Sequence, residues 1–149
     1  MMEKSRGVTI YGFAIVAYGV YNLLGLTNYK NFWMMLEGLP SVIITLIYLF
    51  TCLYAVCGVY CGLRILRLEE WARKVMITLT SISVLLGLAL NRLVMGNFKA
   101  FVESGGGGVL PDQASEVYMY AMIVMVLATL FEISVVYFFT RPNVSKQFH

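Results

Sequence analysis

"VYMYAMIVMVLATLFEISVVYFF", residues 117–139, is a 23-residue run in which Glu132 is the only charged residue. A bilayer core about 30 Å thick takes about 20 mostly apolar residues in helical form. The run is long enough to cross, and it carries one carboxylate with it. The same character extends over the chain: 60% of the 149 residues are apolar and 13% charged, with a mean hydropathy of +0.78. A soluble domain has roughly 45–50% apolar and about 25% charged residues. The excess, gathered into long runs, predicts an integral membrane protein.

Three more runs are long enough to cross, giving spans at Val8–Leu26, Ser41–Leu63, Val75–Asn91 and Val117–Phe139. The backbone in lipid must satisfy its own hydrogen bonds, and no alternating ten-residue pattern suits a barrel, so each span should be helical. The expectation is an all-α polytopic membrane protein, a single domain over 1–149 with four transmembrane helices in a compact bundle. Spans and flanks take up nearly the whole sequence and leave no room for a soluble catalytic domain. The start, "MMEKSRGVTIYG", has the basic character of a signal peptide. Its apolar stretch is long and runs into "GLTNYK" without an A-x-A site, so the first span is read as retained.

Basic residues predict the orientation. Lys4, Arg6, Arg64, Arg67, Arg73, Lys74, Arg141 and Lys146 fall on one side of the four spans; Lys30, Arg92 and Lys99 fall on the other. Eight against three places both termini in the cytoplasm and the chain in the cell's inner membrane. The net charge of +3 then reflects this bias and contact with anionic lipid headgroups, so membrane lipids are the expected partners and nucleic acid is not. Aromatic residues mark the interfaces: Tyr29, Phe32 and Trp33 in the first outer loop, Trp71 at the start of span three, and Tyr118, Tyr120, Tyr137, Phe138 and Phe139 at the ends of span four. Pro40 opens span two and Pro142 stops span four. In the second outer loop, "NFKAFVE" suits one amphipathic turn and "SGGGG" a flexible connector.

Helices in lipid recognise one another by close packing and polar contacts, so small residues at three- and four-residue spacing mark the seams. Span two offers Thr51, Ala55, Gly58 and Gly62; span three Thr80, Ser83, Gly87 and Asn91; span four Ala121, Met125, Ala128 and Glu132; span one Gly12, Gly19 and Asn22. Each span has one such face, and the expectation is that all four point inward. Met and aromatic residues cover much of the remaining surface, and a bundle this small has little space for a wet cavity. A homo-oligomer, or a subunit of a larger membrane complex, is therefore expected.

Little in the sequence suits catalysis. Cys52, Cys57 and Cys61 share span two without a C-x-x-C pair, and the sole histidine is His149. Zinc and bundle-haem ligand sets are missing, as is a Ser-His nucleophile pair. "GGGG" lacks the Lys-Ser/Thr and helix start of a phosphate loop. The reading is a non-enzyme with no catalytic residues, cofactor or metal.

Glu132 remains. It lies roughly 10 Å from the inner end of its span, and an acidic group at such depth costs a few kcal/mol unless paired, protonated or hydrated. The leading expectation is a structural charge pair with Arg64, which can extend upward from the end of span two; Arg6 and Lys74 are further off. On this reading the protein is of structural or accessory type. The alternative is a small proton- or cation-coupled transporter or channel using Glu132, with Thr129, Asn22 and Thr80 as companions.

"RGVTIYG", "GLRILRLEEWARK" and "YFFTRPNVSKQF" together resemble a widespread group of small four-span bacterial membrane proteins. Those share a Gly-rich second span, a W-A-R opening to the third and an R-P-x-V-x-x-Q-F-like tail. The resemblance implies an architecture and brings no activity. It gathers Trp71, Arg73 and Arg141 at the cytoplasmic face, where they read as anchors of helix ends, with Glu69 and Glu70 available to neighbouring basic residues.

Overall fold

The computed structural model describes residues 6–27, 29–104 and 113–148, and every regular element among them is helical. In chain order these are α1 (Arg6–Gly25), α2 (Tyr29–Met35), α3 (Ser41–Ile65), α4 (Glu70–Glu103), α5 (Ala114–Thr140) and α6 (Pro142–Ser145). α1, α3, α4 and α5 are long and apolar enough to cross a membrane. They form the expected four-helix bundle. The glycine run 105–108 and the first five residues lie outside the described residues.

α1 packs chiefly along α3, and α4 along α5. The first pair meets through glycines. A Cβ built on Gly19 would lie 2.8 Å from the Val59 backbone nitrogen, and one on Gly62 would lie 2.7 Å from Val16 Cγ2 and 3.2 Å from the Gly12 carbonyl. Both approaches are closer than a methyl group tolerates. The stripe of Gly12 and Gly19 against Gly58 and Gly62 thus lets two backbones touch, which is how apolar helices gain attraction in lipid.

The core gathers where the chain's two described ends lie, here termed the basal end. Val8, Ile65, Ala72, Phe139, Val144 and Phe148 are buried together there. α6 begins with Pro142, whose fixed φ suits a first helical position, and it turns the tail back under the bundle. Phe148 then meets Phe139 edge to face at 6.0 Å. Arg73 closes this end. Its Nε and Nη2 donate to the Glu70 carboxylate at 2.7 and 2.6 Å, and its Nη1 donates to the Phe139 carbonyl at 2.7 Å. That carbonyl is one of those a helix leaves unpaired at its last turn.

Two expectations change here. Arg73 is buried, with its guanidinium over the Phe148 ring; it anchors the end of α5 from within the bundle instead of from an exposed face. Trp71 and Arg141 are exposed, Trp71 donating to Glu69 at 2.7 Å and Arg141 lying over Tyr137. The third span does not end at Asn91: α4 runs 34 residues to Glu103, about 51 Å. Its upper part rides on α2, where Asn97 Nδ2 donates to the carbonyls of Met35 and Glu37 at 3.0 and 2.9 Å. Hydropathy stops at Asn91, but helix does not, because α2 supplies a second surface.

Between α3 and α4 the chain turns through Leu68, a left-handed residue at φ +62. The Glu69 amide there donates back to the Arg64 carbonyl at 3.3 Å. Before α3, Gly38 at φ +98 makes the turn out of α2, a conformation glycine adopts without Cβ strain.

Candidate functional site: a carboxylate ringed by hydroxyls

Glu132 faces inward from α5 and is 7% exposed. Two hydroxyls converge on its Oε1: Tyr18 from α1 at 3.2 Å and Ser83 from α4 at 3.0 Å. Tyr54 of α3 faces the same carboxylate, and its hydroxyl is 3.5 Å from Thr80 Oγ1 of α4. All four long helices therefore contribute to one polar centre. Aromatic rings wall it: Tyr18 stands edge-on to Tyr54 at 6.4 Å and tilted to Phe131 at 5.3 Å, and Phe50 stacks on Tyr54 at 6.3 Å.

Glycine makes this geometry possible. Gly19 and Gly58 bring α1 and α3 into backbone contact, which sets Tyr18 and Tyr54 side by side at the depth of Glu132. A void of about 10 Å³ lies among Tyr18, Tyr54, Thr80 and Met76. That is the space of a single water at most.

The expected partner is not there. Arg64 donates from Nη1 to Glu69 Oε1 at 2.9 Å and from Nη2 to the Tyr60 hydroxyl at 3.1 Å. Among the described residues, no Lys or Arg forms an ion pair with Glu132. The reason is depth. Tyr54, at the level of the carboxylate, is ten residues and so about 15 Å from Arg64 along α3. Arg64 instead serves the turn into α4. Partial burial acts to raise the pKa of Glu69 there, but hydrogen bonds from Arg64 and Trp71 prevail and hold it below the ordinary carboxylate range.

Of the proposed companions, Thr129 bonds its own helix at the Met125 carbonyl and Asn22 bonds the Tyr18 carbonyl. Thr80 joins the centre through Tyr54, and the Asn22 side chain also neighbours the Tyr18 hydroxyl. Among the seam residues, Ala55, Gly58, Gly62 and Thr80 are buried, Ala128 is half-buried, and Ser83 bonds Glu132. Thr51 returns its hydroxyl to the Ile47 carbonyl. Gly87 is a correction: it is exposed, and a Cβ there would meet nothing within 4 Å. The face Ser83–Gly87–Asn91 borders a lateral groove instead of a seam.

Tyr18 and Tyr54 were missed. Their signal was present, since tyrosine in a membrane helix favours the headgroup level, and both lie near the middle of their helices. A mid-span tyrosine asks for a hydrogen-bond partner, and a mid-span glutamate supplies one.

Family models, curated proteins and solved structures give no match to this chain.

Proposed function

We propose that this chain is a structural or accessory membrane protein, not an enzyme, whose central carboxylate fastens the helices to one another. One observation carries the reading: Glu132 accepts hydroxyl bonds from α1 and α4, and the void among Tyr18, Tyr54 and Thr80 has space for no more than one water. A coupling carboxylate needs a wet path; a fastening one needs donors on other helices. The basic-residue count supports both termini in the cytoplasm. A homo-oligomer, or a place in a larger complex, accords with the many large apolar side chains exposed along all four helices. A monomer by native mass spectrometry in mild detergent would overturn the assembly part of this reading.

The transport reading has one observation of its own, because Ser83 both donates to Glu132 and borders the groove. Proteoliposomes loaded with a pH dye and given an inward proton gradient separate the two. The accessory reading expects dye response equal to that of empty liposomes. A protein-dependent flux abolished by Glu132→Gln would replace it with proton-coupled transport.

A further inference from the structure

Outward of Glu132 the two helix pairs part. The opening is a lateral groove of about 250 Å³, equal to the liquid volume of roughly eight waters. Ile47 and Phe50 of α3 form one wall, and Ser83, Gly87 and Asn91 of α4 form the other. Met35 of α2 and Leu36 just after it border the outer end, where the bonds from Asn97 hold this segment in place. Ser83 and Asn91 are eight residues apart, so the groove runs about 12 Å along α4.

Three features define what suits it. Among the described residues no Lys, Arg, Asp or Glu lines it, so a phosphate or ammonium headgroup would find no counter-charge there. Its walls are apolar apart from Thr51, Ser83 and Asn91, and the Thr51 hydroxyl is turned back to the Ile47 carbonyl, which suits a ring or short chain. Asn91 Oδ1 is buried with no hydrogen-bond partner among the described residues, whereas buried acceptors are ordinarily satisfied. A hydroxyl arriving beside Asn91 would supply the missing donor. Ser83 cannot fill that role, since its own hydroxyl is committed to Glu132.

We infer that this groove is a binding site for an uncharged membrane-soluble phenol or alcohol, its hydroxyl donating to Asn91 Oδ1 and its apolar body lying over Gly87 toward Ser83. The inference goes beyond the accessory reading and does not rest on it. A bulk acyl chain can enter any lateral groove; the hydroxyl at Asn91 distinguishes a specific occupant. Gly87 gives the site its depth, because any side chain there would project into open space.

The test uses the full chain in phosphatidylcholine nanodiscs with a diazirine-bearing alkylphenol, photolysed and mapped by mass spectrometry. Labels are expected on 47–51 and 83–91. Competition by 4-hexylphenol should exceed that by hexylbenzene about tenfold, the worth of one hydrogen bond of roughly 1.4 kcal/mol. Asn91→Leu should bring the two competitors level, and Gly87→Leu should remove the labelling without disturbing the packed helix pairs. Labels scattered over every lipid-facing helix, or equal competition in the unaltered protein, would overturn the proposal. The competitor comparison needs no variant, so a misfolded mutant cannot leave the question undecided.

Discussion

Glu132→Leu and Glu132→Gln should part company. Leucine has a similar reach and suits the apolar surroundings, but it accepts nothing, so the Tyr18 and Ser83 hydroxyls lose the oxygen they share. A buried donor stripped of its acceptor costs about 1–3 kcal/mol in a soluble protein. Within membranes, interhelical bonds average about 0.6 kcal/mol and reach about 1.7, because the unfolded chain also finds partners. Two such bonds place the cost of Glu132→Leu at about 1–3 kcal/mol. Glutamine retains a carbonyl oxygen where Oε1 stands and should cost less than about 1 kcal/mol. Reversible unfolding in mixed detergent, followed by circular dichroism, measures both. Ser83→Ala supplies the cross-check: its effect should shrink in the leucine background, where the bond is already gone, and a double-mutant cycle reads that coupling. If glutamine costs as much as leucine, the negative charge matters and the hydroxyl account fails. Arg64→Gln and Glu132→Gln should add simply, since Arg64 serves Glu69 and Tyr60.

Gly19→Ala sets a Cβ 2.8 Å from backbone and should destabilise by about 1–3 kcal/mol as an overpacked contact, while Gly87→Ala should be neutral or better; thermal melts of the pair in one detergent compare them. Arg73→Met leaves the Glu70 carboxylate to Lys74 alone and strips the Phe139 carbonyl of its donor, and a loss of about 1–3 kcal/mol is expected, with faster proteolysis of the tail around Phe148 as a second readout. Glu69 has its folded-state pKa lowered, so its contribution is present above the unfolded value of about 4.3 and is lost as pH falls through the lower folded value. Trp71 emission in a Trp33→Phe background should therefore hold steady as pH falls from 7 into the ordinary carboxylate range and shift only below it; a transition above that range would contradict the Arg64–Glu69 contact.

The spans were legible because crossing a bilayer demands length and apolarity, and both are properties of sequence alone. The two faces that meet between α1 and α3 were legible too, since Gly12 and Gly19 on one helix and Gly58 and Gly62 on the next mark where backbones can approach; that these two faces meet each other was not. Gly87 shows where that logic ends. Spacing tells where a helix can be approached, not whether a neighbour comes, and at Gly87 none does. Arg64 failed for a related reason. Charge suggested an opposite charge, but a carboxylate needs donors, and the tyrosines of α1 and α3 stood at the right depth while the arginine did not. The upper third of α4 was legible only in part: "NFKAFVE" suited an amphipathic turn, but hydropathy reports lipid and gives no sign that this turn continues α4 along α2.

The two helix pairs are joined in different ways along their length, and the order matters. At the basal end, the Phe139 and Phe148 rings, Val8 and Ile65 weld them through tight apolar packing. At the level of Glu132 the join is polar: Tyr18 and Tyr54 belong to one pair, Ser83, Thr80 and Glu132 to the other. Outward of that level, α3 and α4 face each other across the groove until α2 bridges them. Glu132 therefore sits where the weld stops and the opening starts. Hydrogen bonds suit that place better than apolar contact does, because lipid tails compete with leucine for another leucine but offer nothing to a hydroxyl. An apolar residue at 132 would leave the pairs free to exchange each other for lipid, and the opening would extend downward. The carboxylate sets where the groove ends.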